Sequence, residues 1–174
     1  MIARSHHGQL LEQARLLATK EKGRPLQVSL RRSASAAYYA LFHFLIDATT
    51  KSWLGARPSQ RTMRQILARA FQPGTMLQAS RGFCSGALGR GMQSVGTAMT
   101  VPAELHYLAT TFIELQDLRH RADYDLAASF SRQEVLGKVV RVEKAIQDWR
   151  AIEDHPLSRF YLVSLLTWDR LRDR

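Results

Sequence analysis

The chain has 174 residues, of which 45% are hydrophobic, enough for the core of one domain over residues 1–174 but not for two full cores. Its one cysteine, Cys84, excludes an intrachain disulfide and a multi-cysteine metal site, and no apolar run is long enough for a signal peptide or a membrane span, so a cytoplasmic protein without a membrane partner is expected. The net charge is +10, and residues 48–103 carry seven basic groups and no acidic one, a bias that attracts polyanions, of which nucleic acid is the commonest.

Helical periodicity dominates in chain order. Residues 5–22 place Leu10, Leu11, Ala14, Leu17 and Ala18 on one face, and Gly23 and Pro25 end that helix. Residues 27–53 predict a long second helix with Tyr38, Leu41, Phe42, Leu45 and Ile46 in one stripe, closed by Gly55 and Pro58. Ser59 is positioned to cap a third helix through Phe71, with Met63, Ile66, Leu67 and Ala70 inward. Six glycines then make 72–101 a flexible, glycine-rich loop with room for a short helix, and no P-loop or dinucleotide fingerprint fits them.

Thr100 and Pro102 read as the start of a fourth helix running to about Arg121. Its stripe is Leu105, Leu108, Phe112, Leu115 and Arg119, while Tyr107, Thr111 and Leu118 form a second face that can mark an interface. Residues 131–134 are a capping box that opens a fifth helix to about Ile152, and Pro156 opens a last, accessory helix over 156–174. There is no strand alternation. The fold class expected is all-α, an up-and-down bundle of four main helices with an extra C-terminal helix.

Two regions can carry chemistry. An arginine ending a core stripe is costly unless it is paired or opens on a cleft, and Arg119 stands at the head of Arg119-His120-Arg121-Ala122-Asp123-Tyr124. Cations, carboxylate, imidazole and phenol gathered at one helix end can bind phosphate or support acid–base chemistry. They can equally complement the helix dipole, with Asp123 simply pairing Arg119. The other region is basic: Arg57, Arg61 and Arg64 share a helical face if the third helix starts before Arg61, and with Arg69 they form a row suited to a phosphate backbone. No metal-ligand spacing is present and no cofactor is implied.

The stretch Arg32-Ser33-Ala34-Ser35-Ala36-Ala37-Tyr38-Tyr39-Ala40-Leu41-Phe42-His43 and the stretch Leu118-Arg119-His120-Arg121-Ala122-Asp123-Tyr124 resemble two motifs of a bacterial branch of the HEPN (higher eukaryotes and prokaryotes nucleotide-binding) family: Ser-x-x-x-Tyr-Tyr-Ala-x-x-His and Arg-x-x-Ala-Asp-Tyr. The resemblance covers roughly residues 5–153. It implies a helical bundle, often a homodimer, and RNA as ligand or substrate. Many relatives are metal-independent ribonucleases, and some are toxins neutralised by a minimal nucleotidyltransferase, so a toxin–antitoxin or defence role with such a partner is expected. It also implies a site built from Arg119, Asp123 and Tyr124; by charge, Arg121 joins Arg57, Arg61, Arg64 and Arg69 as an expected nucleic-acid contact.

The chain departs from the family's catalytic pattern, an arginine and a histidine with four to six residues between them. From Arg119 the required positions hold Tyr124, Asp125 and Leu126, and from Arg121 they hold Leu126, Ala127 and Ala128. The base of a cleaving site is therefore open among Tyr124, Asp123 and His43, which lies one helical turn past Tyr39. The literal match Arg150…His155 is of a kind chance supplies, and His155 reads as a turn residue. The rival reading is a non-catalytic helical module that binds a partner protein or itself.

Overall fold

A computed structural model describes residues 5–84 and 100–172 of the chain. The described residues are all-α, a helical bundle without strands: α1 (His6–Thr19), α2 (Gln27–Leu54), a 3-10 turn (Pro58–Gln60), α3 (Arg61–Ala68), α4 (Pro73–Cys84), α5 (Ala103–Tyr124), α6 (Arg132–Ile152) and α7 (Pro156–Arg172). None of these helices is long and apolar enough to cross a membrane.

Local chemistry sets most boundaries. Ser5 caps α1 by accepting the Gly8 amide at 3.1 Å. The helix stops at Thr19, three residues before the expected end, because Arg132 donates to the carbonyls of Ala18 (3.1 Å) and Gly23 (2.8 Å) and to that of Glu21. A guanidinium that gathers those carbonyls supplies donors that another helical turn would otherwise provide. Gly55, at φ +78°, ends α2 in the left-handed conformation that glycine adopts without a Cβ penalty. Ser131 accepts the Glu134 amide at 3.0 Å, so the cap expected for α6 is present.

Two expectations change. Ser59 does not cap the third helix: it lies inside the 3-10 turn, and Gln60 occupies the cap position with no side-chain hydrogen bond. Within the stretch read as a loop over 72–101, Pro73–Cys84 is a helix that buries Met76, Ala79, Ser80 and Phe83, while 85–99 lie outside the described residues. Gly82 sits in this helix because a side chain has no room there. A Cβ would come within 2.0 Å of the Trp168 ring.

By packing, the chain falls into two compact units. One comprises residues 1–44 and 111–147, the other 45–110 and 148–174. The first contains α1, the N-terminal part of α2, the C-terminal part of α5 and most of α6. Its core is Leu11, Ala14, Ala18, Leu30, Ala34, Ala37, Tyr38, Phe112, Leu115, Val135, Val139 and Val142. Small residues let α1 approach α2, where the Ser33 hydroxyl donates to the Ala14 carbonyl at 2.6 Å. In the second unit α4 packs on α7. Phe83 meets Tyr161 edge-on at 5.0 Å, the Ser80 and Tyr161 hydroxyls share a hydrogen bond of 2.9 Å, and Thr75 donates to Asp169 at 3.0 Å. Of the second face read on the fourth helix, Thr111 and Leu118 are buried and Tyr107 is half-buried.

Candidate functional site at the end of α5

The Arg119–Tyr124 stretch forms the last turns of α5, three residues further than expected. Helical spacing of four puts Asp123 under Arg119, and Arg119 Nε lies 2.7 Å from Asp123 Oδ2. The other carboxylate oxygen, Oδ1, accepts the Ser35 hydroxyl from α2 at 2.7 Å. Arg119 Nη2 donates to the Tyr124 hydroxyl at 3.4 Å. The pair is partly covered, with 21% of the Arg119 side chain and 23% of the Asp123 side chain exposed.

Three tyrosine rings surround the guanidinium. Its carbon stands 5.9 Å from the ring centres of Tyr38 and Tyr39 and 5.4 Å from that of Tyr124, within cation–π range. Tyr38 is buried and its hydroxyl has no hydrogen-bond partner among the described residues. Burial pushes that phenol well above its ordinary pKa while Arg119 pulls it the other way, so it stays neutral. Burial opposes the charge on Arg119, but Tyr39, Asp123, Tyr124 and Tyr38 outweigh it and hold the guanidinium above its ordinary value. Tyr39 and Tyr124 are open to solvent, at 37% and 64% exposure.

His43 joins the same neighbourhood through Tyr39, on which its ring stacks at 6.2 Å. On α1, His6 meets His43 edge-on at 4.8 Å, and on α5 His120 lies 5.1 Å from Tyr124. Burial, then the charge of His6, lowers the His43 pKa below 6.5. The result is a continuous band of rings and one cation: His6, His43, Tyr39, Arg119, Tyr124 and His120.

Two residues that sequence reasoning passed over hold this helix end in place. Arg31 donates to the carbonyls of Ala122 (3.0 Å), Asp125 (2.8 Å) and Leu126 (3.3 Å) and to that of Ala128. One turn before it, Gln27 clasps Phe130 twice, donating to its carbonyl at 3.0 Å and accepting its amide at 2.9 Å. The signal was faint, since an arginine and a glutamine four apart on a helix look like ordinary surface. Arg121 turns toward the start of α6, 3.8 Å from Glu134 and 5.3 Å from the Phe130 ring.

The basic row over 57–69 is broken. Because α3 begins at Arg61, Arg57 lies off that helix. Arg64 donates to the carbonyls of Gly55 at 2.7 Å and Arg57 at 3.0 Å, so it ties α3 to the end of α2. Arg61 and Arg69 remain exposed. The tether also sets the orientation of the helix. Met63 and Ile66, expected inward, are 52% and 56% exposed, and no residue of α3 is buried.

His155 sits in the α6–α7 turn as read from the sequence, and its Nδ1 accepts the Leu157 amide at 3.2 Å. Cys84 is the last residue of α4, 3.2 Å from the Thr110 hydroxyl, rather than a loop residue. A shallow recess on α6 is lined by Lys138 and Arg141, but both stand against Glu114, at 2.7 and 3.2 Å, so it offers no free cation pair. No family model, no curated protein and no solved structure matches the chain.

Proposed function

We propose that this chain is a HEPN-like helical bundle that binds single-stranded RNA at the end of α5. The observation that carries the reading is the Arg119 guanidinium ringed by Tyr38, Tyr39 and Tyr124, with the last two open to solvent. Exposed rings beside a cation suit single strands, because every base has a face to stack and every nucleotide carries a phosphate. The net charge of +10 adds attraction over distance. Binding without cleavage is favoured by the closure of the polar network. Asp123 is held by both Ser35 and Arg119, and no histidine occupies the position at which the resembling family places its base. The imidazoles nearest to Arg119 by ring contacts, His43 and His120, reach it through Tyr39 and Tyr124.

The test pairs binding with cleavage. A labelled oligouridylate is titrated with wild type, Arg119→Ala and Tyr124→Ala at low and physiological salt without metal, and each mixture is run on a denaturing gel. Salt-sensitive binding is expected, weakened by Tyr124→Ala about fivefold or more, since one base–aromatic stack contributes about 1–3 kcal/mol. Cleavage that disappears in a folded Arg119→Ala variant would make the chain a ribonuclease with an unusual base. Absence of binding at low salt would refute the proposal.

A further inference from the structure

α3 exposes apolar and basic side chains alike, and no residue of the helix is buried. Met63 and Ile66, three apart and therefore on one face, point outward. Trp53 is also exposed, two residues before Gly55, whose carbonyl receives Arg64 from α3. Arg57, Arg61 and Arg69 are exposed as well, with Arg61 on the side of α3 away from Met63 and Ile66 as the polar face of an amphipathic helix, and the sequence holds no acidic residue from 48 to 103. Lys51 is paired with Asp47 at 2.6 Å.

The charge narrows what can cover this face. A second copy related by a two-fold axis would bring arginines against arginines. An RNA strand would satisfy the arginines and leave Met63 and Ile66 in contact with phosphates or water. A dry protein interface wants far more area than two side chains of a two-turn helix supply. An anionic bilayer meets both demands without a shaped partner. Its headgroups take the arginines, and its acyl boundary takes the apolar side chains and an interfacial tryptophan.

We infer that α3, with Trp53 and the arginines at 57, 61 and 69, is a peripheral docking face for anionic lipid membranes. Binding is shallow and reversible, since two apolar side chains and a few cations give a weak anchor. This face is separate from the RNA reading and does not rest on it.

The test uses the full chain and co-sedimentation with large vesicles, either of phosphatidylcholine alone or of equal parts phosphatidylcholine and phosphatidylglycerol. Partition into the anionic vesicles, weakened by salt, is expected, with a blue shift of tryptophan fluorescence that Trp53→Phe removes. The double variant Met63→Ser/Ile66→Ser should lose partition while keeping its thermal transition, because neither side chain is buried. Removal of one cation, by Arg57→Gln or Arg61→Gln, should weaken partition about fivefold. Equal partition into both vesicle types, or none, overturns the inference. So does full binding by the double variant, self-association that Ile66→Ser abolishes, or oligouridylate binding that the same double variant abolishes.

Discussion

Arg31 is the residue whose replacement should be most costly at the end of α5. It serves carbonyls at 122, 125, 126 and 128. Two of those acceptors, Ala122 and Ala128, are partly buried, and two are open to water. A hydrogen bond from a charged donor contributes about 1.5–3 kcal/mol when its acceptor is shielded and little when water can replace it, so Arg31→Met should cost about 3 kcal/mol. For a chain of this size that is a fall in Tm of roughly 6–12 °C. Arg31→Lys should recover little, because one ammonium cannot span four carbonyls that a planar fork reaches. Thermal unfolding by circular dichroism gives the loss. Hydrogen exchange locates it, with amides at 121–130 losing protection before those of α1. A loss below about 0.5 kcal/mol, or full recovery by lysine, would refute the reasoning, since these contacts would then be no better than contacts to water.

Asp123→Asn keeps the shape of the Arg119 network and removes its negative charge. Stability should fall by about 1 kcal/mol while oligouridylate affinity rises several-fold, and a fall in both would count against Arg119 as the phosphate contact. Gly82→Ala should gain about 1 kcal/mol of helix propensity yet be destabilising overall, since overpacking costs about 1–3 kcal/mol. Calorimetry of the double variant with Trp168→Leu should show the two changes compensating, and simple additivity would mean the contact is absent. The depressed pKa of His43 gives a pH dependence. Above about 6.5 both folded and unfolded chains hold the imidazole neutral. Below it the unfolded chain takes up the proton first, so stability falls with pH toward the lower folded value. Denaturant midpoints between pH 7.5 and 5 should show that slope, and His43→Gln should flatten it.

The helices were legible in the amino-acid pattern alone. Apolar spacing near 3.6 residues placed α1, α2, α5, α6 and α7 because each must bury a stripe, and short-range chemistry at Gly55 and Ser131 ended or began them where it was read. It also put Arg119, Asp123 and Tyr124 together, because spacings of four and five on one helix suffice for that. What it could not contain were pairings set by other elements. Ser35 reaches Asp123 from 88 positions away, and Arg31 serves carbonyls more than 90 positions on. Gly82 looked like loop flexibility, and only Trp168 shows that the helix needs a missing side chain there. The outward face of α3 was the clearest reversal. Periodicity predicted which residues share a face, but the bonds of Arg64 to Gly55 and Arg57 decided which way that face points, since a two-turn helix buries too little to orient itself.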